Sequence, residues 1–180
     1  MELTNYGITL RRLTEDKIEM VRQWRNDPKI QQYMEFRDYI TPEMQQAWFK
    51  RINNNNNYYF IIVYEGKEVG LVNIKDIDYT KKTGEPGIFI YDDDCLDSDV
   101  ALRASLCRDD FIWDVLKLEK MYIHVMRDNK RAIKFNLLKG YKLEPGQENV
   151  SNQLYSLTKE NAKNNKRINQ FRIIFSKLWN

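Results

Sequence analysis

The alternation of apolar and polar residues changes period several times along the chain, and each change marks an element. Residues 7–13 (GITLRRL) alternate with a period of two and predict a first strand. After Thr14, which with Asp16 and Lys17 offers a helix start, Ile18, Val21 and Trp24 recur at helical spacing. This helix is expected to stop at Asn26-Asp27-Pro28, because proline restricts the residue before it and donates no N–H. A second helix is expected from Thr41 as N-cap, with Pro42 in its first turn and Met44, Trp48 and Ile52 buried. Asn53 to Asn57 end it as a solvated connection.

The stretch YYFIIVYEGKEVGLVNIKDID reads as a hairpin turning at Glu65-Gly66-Lys67. Gly87 to Tyr91 (GIFIY) follows as the third strand of an antiparallel meander, with Lys81 to Pro86 as the connection. Ser98 precedes a helix carrying Val100, Ala104, Cys107, Phe111 and Val115 on one face. Met121 to Met126 is a buried strand, Gln153 to Leu157 a last one, and Ile168, Phe171, Phe175 and Leu178 predict a closing amphipathic helix. The order predicts an α/β (α+β) fold on one mixed, mostly antiparallel central sheet of about seven strands, parallel only where helices cross over.

Composition narrows the classes. A chain of 180 residues with 42% hydrophobic, 31% charged and 13% aromatic residues is expected to fold as one domain over residues 1–180, which excludes a disordered tail. No apolar run approaches the roughly 20 residues that span a bilayer, and Met1 to Leu10 lacks a basic start and a cleavage site, so no membrane and a cytoplasmic location are expected. Cys95 and Cys107 have no histidine or cysteine at metal spacing and are expected to be packing residues, with no metal. The 29 basic and 26 acidic residues are interleaved, so nucleic acid is not expected; KENAKNNKR, at 159–167, is the stretch that would favour it.

The most specific pattern is HVMRDNKRAIKFNLLKGYKL, where a strand passes through a charged turn into a helix that ends at a glycine. With VRQWRND in the first helix, Asn129-x-x-Ala132 and the later Gly140-Tyr141, the chain resembles the GNAT superfamily of acetyl-CoA-dependent N-acetyltransferases over roughly residues 7–158. The resemblance is to the branch containing ribosomal-protein and nucleotide-sugar N-acetyltransferases. It implies helices on both sheet faces, residues 159–180 as a helical extension, and a V-shaped splay between the strands 87–91 and 121–126 that admits the pantetheine arm. It implies acetyl-CoA as acyl donor and a small-molecule primary amine as acceptor, carried on a nucleotide-linked amino sugar, and it is compatible with a homodimer.

Acetyl transfer needs a base for the amine, donors for the thioester oxyanion and a fate for the thiolate. Backbone N–H groups near Phe89 and Ile90 are the candidate oxyanion donors. Asp76, Asp78, Glu85 and His124 are the acid–base groups flanking the expected cleft, with Asp78 also a candidate for touching the acceptor amine. His124, the only histidine, has a second reading as a hydrogen-bonded structural residue on its strand, the commoner role of a lone strand histidine. Asn129 is either the N-cap of the following helix or a donor to the cofactor, two roles that do not exclude each other, and Ala132 completes that motif.

Two positions depart from the family. Its pyrophosphate loop, [QR]-x-x-G-x-[GA], aligns with Leu96, Asp97, Ser98, Asp99, Val100 and Ala101, of which only Ala101 fits. Asp92, Asp93, Asp94, Asp97 and Asp99 place carboxylates where phosphates are expected; the alternative is that Asp97, Ser98 and Asp99 complement the helix dipole in an emptied site. The general-acid tyrosine of many relatives is replaced by Asn136, with Tyr91, Tyr122 or Tyr141 left to act through water or to pack in the core. For the acceptor, the resemblance points to Trp24, Arg25, Asn26 and Tyr33, with Phe36 and Trp48 nearby. Their other reading is helix packing. The rival function is a catalytically degenerate fold of this family that binds a partner or another ligand, which Leu96, Asp99 and Asn136 favour.

Overall fold

The alternation that starts at Gly7 is the second half of a hairpin. The computed structural model describes residues 1–179. In it β1 (Glu2–Asn5) pairs antiparallel with β2 (Ile8–Arg12) through Tyr6-Gly7, whose φ values of 57° and 67° make the tight turn that matches strand twist. β1 is an edge strand with no buried residue, so it carries no apolar signature, and the sheet gains a strand over the expectation.

A short 3₁₀ turn leads into α1 (Ile18–Asn26), which buries Ile18, Val21 and Trp24 as its spacing predicts. Asp27 then caps α2 (Pro28–Gln31), so Pro28 ends one helix and starts the next. α3 (Pro42–Ile52) has the predicted Thr41 cap, but its buried face is Gln45, Phe49 and Ile52, while Met44 is exposed. Successive steps of four drift around a helix, and Gln45 is drawn inward because its Nε2 donates to the Ile18 carbonyl at 2.7 Å.

β3 (Tyr58–Tyr64) and β4 (Lys67–Asp78) form the expected hairpin, closed by Glu65-Gly66 alone. β5 (Thr83–Ile90) begins four residues before the predicted Gly87, because residues 83–86, read as connection, already pair with β4. α4 (Val100–Asp110) is enclosed on all sides, burying Arg103, Arg108 and Asp109 with its apolar residues. A π-helical turn, Phe111–Val115, follows and rotates Val115 outward from the predicted stripe. β6 (Lys120–Met126), α5 (Lys130–Lys139), β7 (Lys142–Leu143), β8 (Asn152–Thr158), α6 (Lys159–Lys163) and α7 (Lys166–Trp179) complete the chain. Gly140 caps α5 at φ 96°, in the left-handed conformation expected of it. In α7, Ile168 and Phe175 are buried but Leu178 faces solvent.

The strands make one eight-stranded sheet in the order β1-β2-β3-β4-β5-β6-β8-β7, with β5–β6 as its parallel pair. One face packs Phe60, Ile62, Val72, Ile74, Ile90 and Met121 against α4 and α7. The other packs Tyr59, Ile61 and Leu71 against Val21, Trp24 and Phe49 of α1 and α3. Both cysteines lie in the first of these cores. No helix among the described residues is long and apolar enough to cross a membrane.

Candidate active site

β5 and β6 pair only at Thr83/Lys120 and Gly84/Met121, then part company. Register explains the parting. Tyr91 N–H bonds the Val69 carbonyl at 2.8 Å, so Phe89, Gly87 and Glu85 turn their backbone groups toward β4, and Ile90, Ile88, Pro86 and Gly84 turn theirs toward β6. The first residue past Gly84 that should donate to β6 is therefore Pro86, which has no N–H. Beyond it the ladder stops, and the N–H and C=O groups of Ile88 and Ile90 face an open wedge. Of the two expected donors only Ile90 has this orientation; the Phe89 N–H is directed at β4, and Ile88 takes its place.

At the mouth of the wedge stands the N-terminus of α4. The N–H groups of Asp99, Ala101 and Leu102 have no acceptor among the described residues, and that of Val100 bonds Ser98 Oγ at 3.2 Å. These orphan donors fit a phosphate. The side chains of Ser98 and Val100 are otherwise engaged, Ser98 by the Cys95 carbonyl at 2.7 Å and Val100 by the core. The surrounding carboxylates are held by cations: Asp93 by Lys29 Nζ at 2.9 Å, Asp99 by Arg103 Nε at 2.9 Å, and Asp97 by Arg131, which also donates to the Leu96 carbonyl. Asp99 gives α4 no capping bond. Three of the five carboxylates of the acid-rich approach are thus matched by cations, while Asp92 and Asp94 make no ion pair among the described residues.

Asn129 caps α5, its Oδ1 accepting the Ala132 N–H at 3.0 Å and its Nδ2 left over for a ligand. Replacing Asn129 by alanine is expected to cost about 1 kcal/mol in urea unfolding. An accompanying loss of cofactor affinity would add the second role, and unchanged affinity would leave the cap alone. Asn136, a turn before Gly140, spends its Nδ2 on the Ala132 carbonyl at 2.9 Å.

On the α1/α3 face of the sheet, just past the apex of the wedge, Glu85 of β5 meets His124 of β6, Oε1 to Nδ1 at 3.3 Å. Lys75 holds the same Glu85 oxygen at 3.4 Å and Asp76 at 3.6 Å. Asp76 sits in a β-bulge with φ 52°, a conformation aspartate tolerates, and its N–H bonds Asn57 Oδ1 at 3.0 Å. Asp78 has a different task, its carboxylate accepting the Thr80 and Lys81 N–H groups at 3.0 and 2.9 Å to close a turn.

Two further groups complete this face. Tyr59 was hidden among the apolar residues of β3, yet its hydroxyl makes no hydrogen bond among the described residues. Burial pushes that phenol up to about 12, with Asp76 adding to the effect and Arg25 opposing it. Arg25 lies over the Trp48 ring at 5.4 Å, without hydrogen-bond or ion-pair partner among the described residues, and burial lowers its pKa. The other acceptor candidates have structural tasks. Trp24 is stacked on Tyr91 at 5.2 Å, and Asn26 clamps Ile40 by two bonds of 2.9 and 2.8 Å. Tyr33 is exposed beyond α2.

Comparison with known proteins converges on one family. The model of the acetyltransferase (GNAT) domain matches residues 8–137. Spermidine N(1)-acetyltransferase of Escherichia coli (strain K12) is 25% identical over 140 residues, 77% of this chain and 75% of the relative. Among solved structures, apo FdhC, described as a nucleotide-linked sugar GNAT, superposes with a TM-score of 0.77 at 24% identity, covering 96% of this chain and 97% of the other. Spermidine N-acetyltransferase from Vibrio cholerae in complex with CoA and spermine superposes with a TM-score of 0.72 at 21% identity, covering 89% and 100%.

Proposed function

This chain belongs to the GNAT acetyltransferase family, and we propose that it moves an acetyl group from acetyl-CoA to a primary amine on a nucleotide-linked sugar. The observation that carries the reading is the loss of β5–β6 pairing after Gly84, with unpaired strand edge on one wall and Glu85–His124 at the throat. Acetyl-CoA supplies the activated thioester; the rest falls to the chain. The N–H groups of Ile88 and Ile90 donate to the thioester oxygen, a contribution of about 10²–10³ in rate per donor. Orphan N–H groups of α4, with Arg131 able to exchange Asp97 for phosphate, receive the pyrophosphate. Glu85, oriented by His124 and Lys75, takes the proton from the acceptor ammonium.

Arg25 supports the nucleotide-linked acceptor over a polyamine. A half-buried guanidinium without a partner, beside an indole face, draws a phosphate and a stacked base. A polyamine, the acceptor named for the spermidine relatives, would meet repulsion there. The test is thermal unfolding with acetyl-CoA, followed by CoA release assayed with nucleotide-linked amino sugars and with spermidine. At a hundredfold excess over Kd, a rise on the order of 5–10 °C is expected, with turnover on the amino sugars. No rise at millimolar acetyl-CoA would leave a degenerate binding fold, and turnover on spermidine alone would reverse the acceptor.

A further inference from the structure

The family's tyrosine acid is absent here, and Asn136 has no proton to give. Under the wedge, on the sheet face opposite Glu85, lies a chain of charges with no other assigned task. Arg108 Nε and Nη2 donate to Asp109 Oδ1 at 3.0 and 2.6 Å, and Lys139 Nζ lies 2.8 Å from the other Asp109 oxygen. The side chains are 3–4% exposed. Arg108 Nη1 also donates to the Gly87 carbonyl at 3.1 Å, which sets the chain's charge against the β5 backbone on the strand's β4 side, behind the wedge wall and between Gly84 and the donors of Ile88 and Ile90.

Two cations share one carboxylate, so the chain carries one surplus positive charge when Lys139 is protonated. The adjoining group does not cancel it, because Asp110 is matched by Arg172 and bonded by Tyr6. A buried surplus charge is costly unless a counter-charge arrives. We propose that this surplus charge stabilises the thiolate that departs in the wedge, in place of a proton donor. The inference rests on the acetyl-transfer reading above. Glu85 first takes the ammonium proton and releases it to solvent; the neutral amine nitrogen then forms the new C–N bond and gives up its second proton to Glu85. The C–S bond breaks with its electron pair on sulfur, and the thiolate collects a proton from solvent after it leaves. Arg108 and Lys139 act across the wall as positioning residues, not as proton donors.

Lys139 faces Asp109 and Arg108 of α4, Arg172 of α7, and the Tyr141 ring beyond its own helix at 6.0 Å. Burial brings its ammonium down to about 8 against the pull of Asp109, so the surplus is complete below that pH. Thiolate and ammonium then stabilise each other reciprocally.

The experiment titrates the thiol of CoA bound to the full chain, read by thiolate absorbance in the ultraviolet. Cys107 stays silent over this range, since burial pushes its thiol up to about 12, and Cys95 is raised as well. Bound CoA is expected to titrate about one unit below the ordinary thiol value near 8.5, the shift a unit charge about 10 Å away produces at an effective dielectric of about 20. Lys139→Met leaves a neutral Arg108–Asp109 pair and should return the thiol to its ordinary value, while a thioether analogue of acetyl-CoA still binds within about threefold. Arg108→Met, which leaves a neutral Asp109–Lys139 pair, is the second variant and should give the same return. A wild-type bound thiol at or above about 8.5 overturns the inference with acetyl transfer intact. A chain that binds no CoA overturns both.

Discussion

Glu85→Gln is expected to lower kcat/KM for acetyl transfer by about 10²- to 10⁴-fold, the range for loss of a positioned base. Glutamine keeps the size of the side chain and can still bond His124 Nδ1, but it cannot accept the ammonium proton and breaks the ion pair with Lys75. The effect should fall on kcat, because the groups proposed to hold the acyl donor are backbone groups of β5 and α4 that the substitution leaves untouched. Urea unfolding should move by less than about 1 kcal/mol, since Glu85 contributes a partly exposed ion pair. An active Gln variant would exclude Glu85 and turn attention to Asp76, on the other side of Lys75.

Asp109→Ala is expected to destabilise the fold by about 3–5 kcal/mol, a large part of a typical 5–15 kcal/mol total, because it strands Arg108 and Lys139 in the core. The fall in Tm should be on the order of 10 °C. The pH dependence has a sign that identifies the cause. Burial would raise the Asp109 pKa, but Lys139 and Arg108 outweigh it and hold the carboxyl below the usual range. Its contribution is present above the unfolded pKa near 3.9 and is lost as pH falls through the folded value. Lys139 runs the other way: its folded pKa is about 8 against roughly 10.4 unfolded, so between these values the unfolded chain binds more protons and stability rises with pH. The buried Cys107 thiol, raised to about 12, opposes this rise above the ordinary thiol value, so the Lys139 contribution is read as the wild-type-minus-Lys139→Met difference in chemical unfolding at pH 7, 8.5 and 10. A wild-type-minus-variant difference that does not rise over this interval would contradict the buried pairing.

The order of elements could be read from the chain because most of it is written locally. A period of two or of 3.6 reports which side of a strand or helix faces the core, and the caps at Thr41, Asn129 and Gly140 act within a few residues of themselves. β1 was not legible, since an edge strand without a buried face carries no alternation. The faces of α3 and α4 misled for another reason: Gln45, Arg103, Arg108 and Asp109 are buried by virtue of partners on other elements, Arg103 through the Tyr6 carbonyl. Pro86 was a sequence signal of the wedge, but its meaning depends on register, which a single strand does not specify.

By itself the sequence determined the strands other than β1, the longer helices, their order and the acid-rich approach to α4. Only the tertiary structure decided that Glu85 meets His124, that Arg25, beside Trp48, has no ion-pair partner among the described residues, and that Lys139 shares Asp109 with Arg108. The reason is physical: hydrophobic periodicity is a property of neighbours along the chain. The pairing of a charge depends on which distant groups share its enclosure, where a low dielectric makes a present partner or a missing one count.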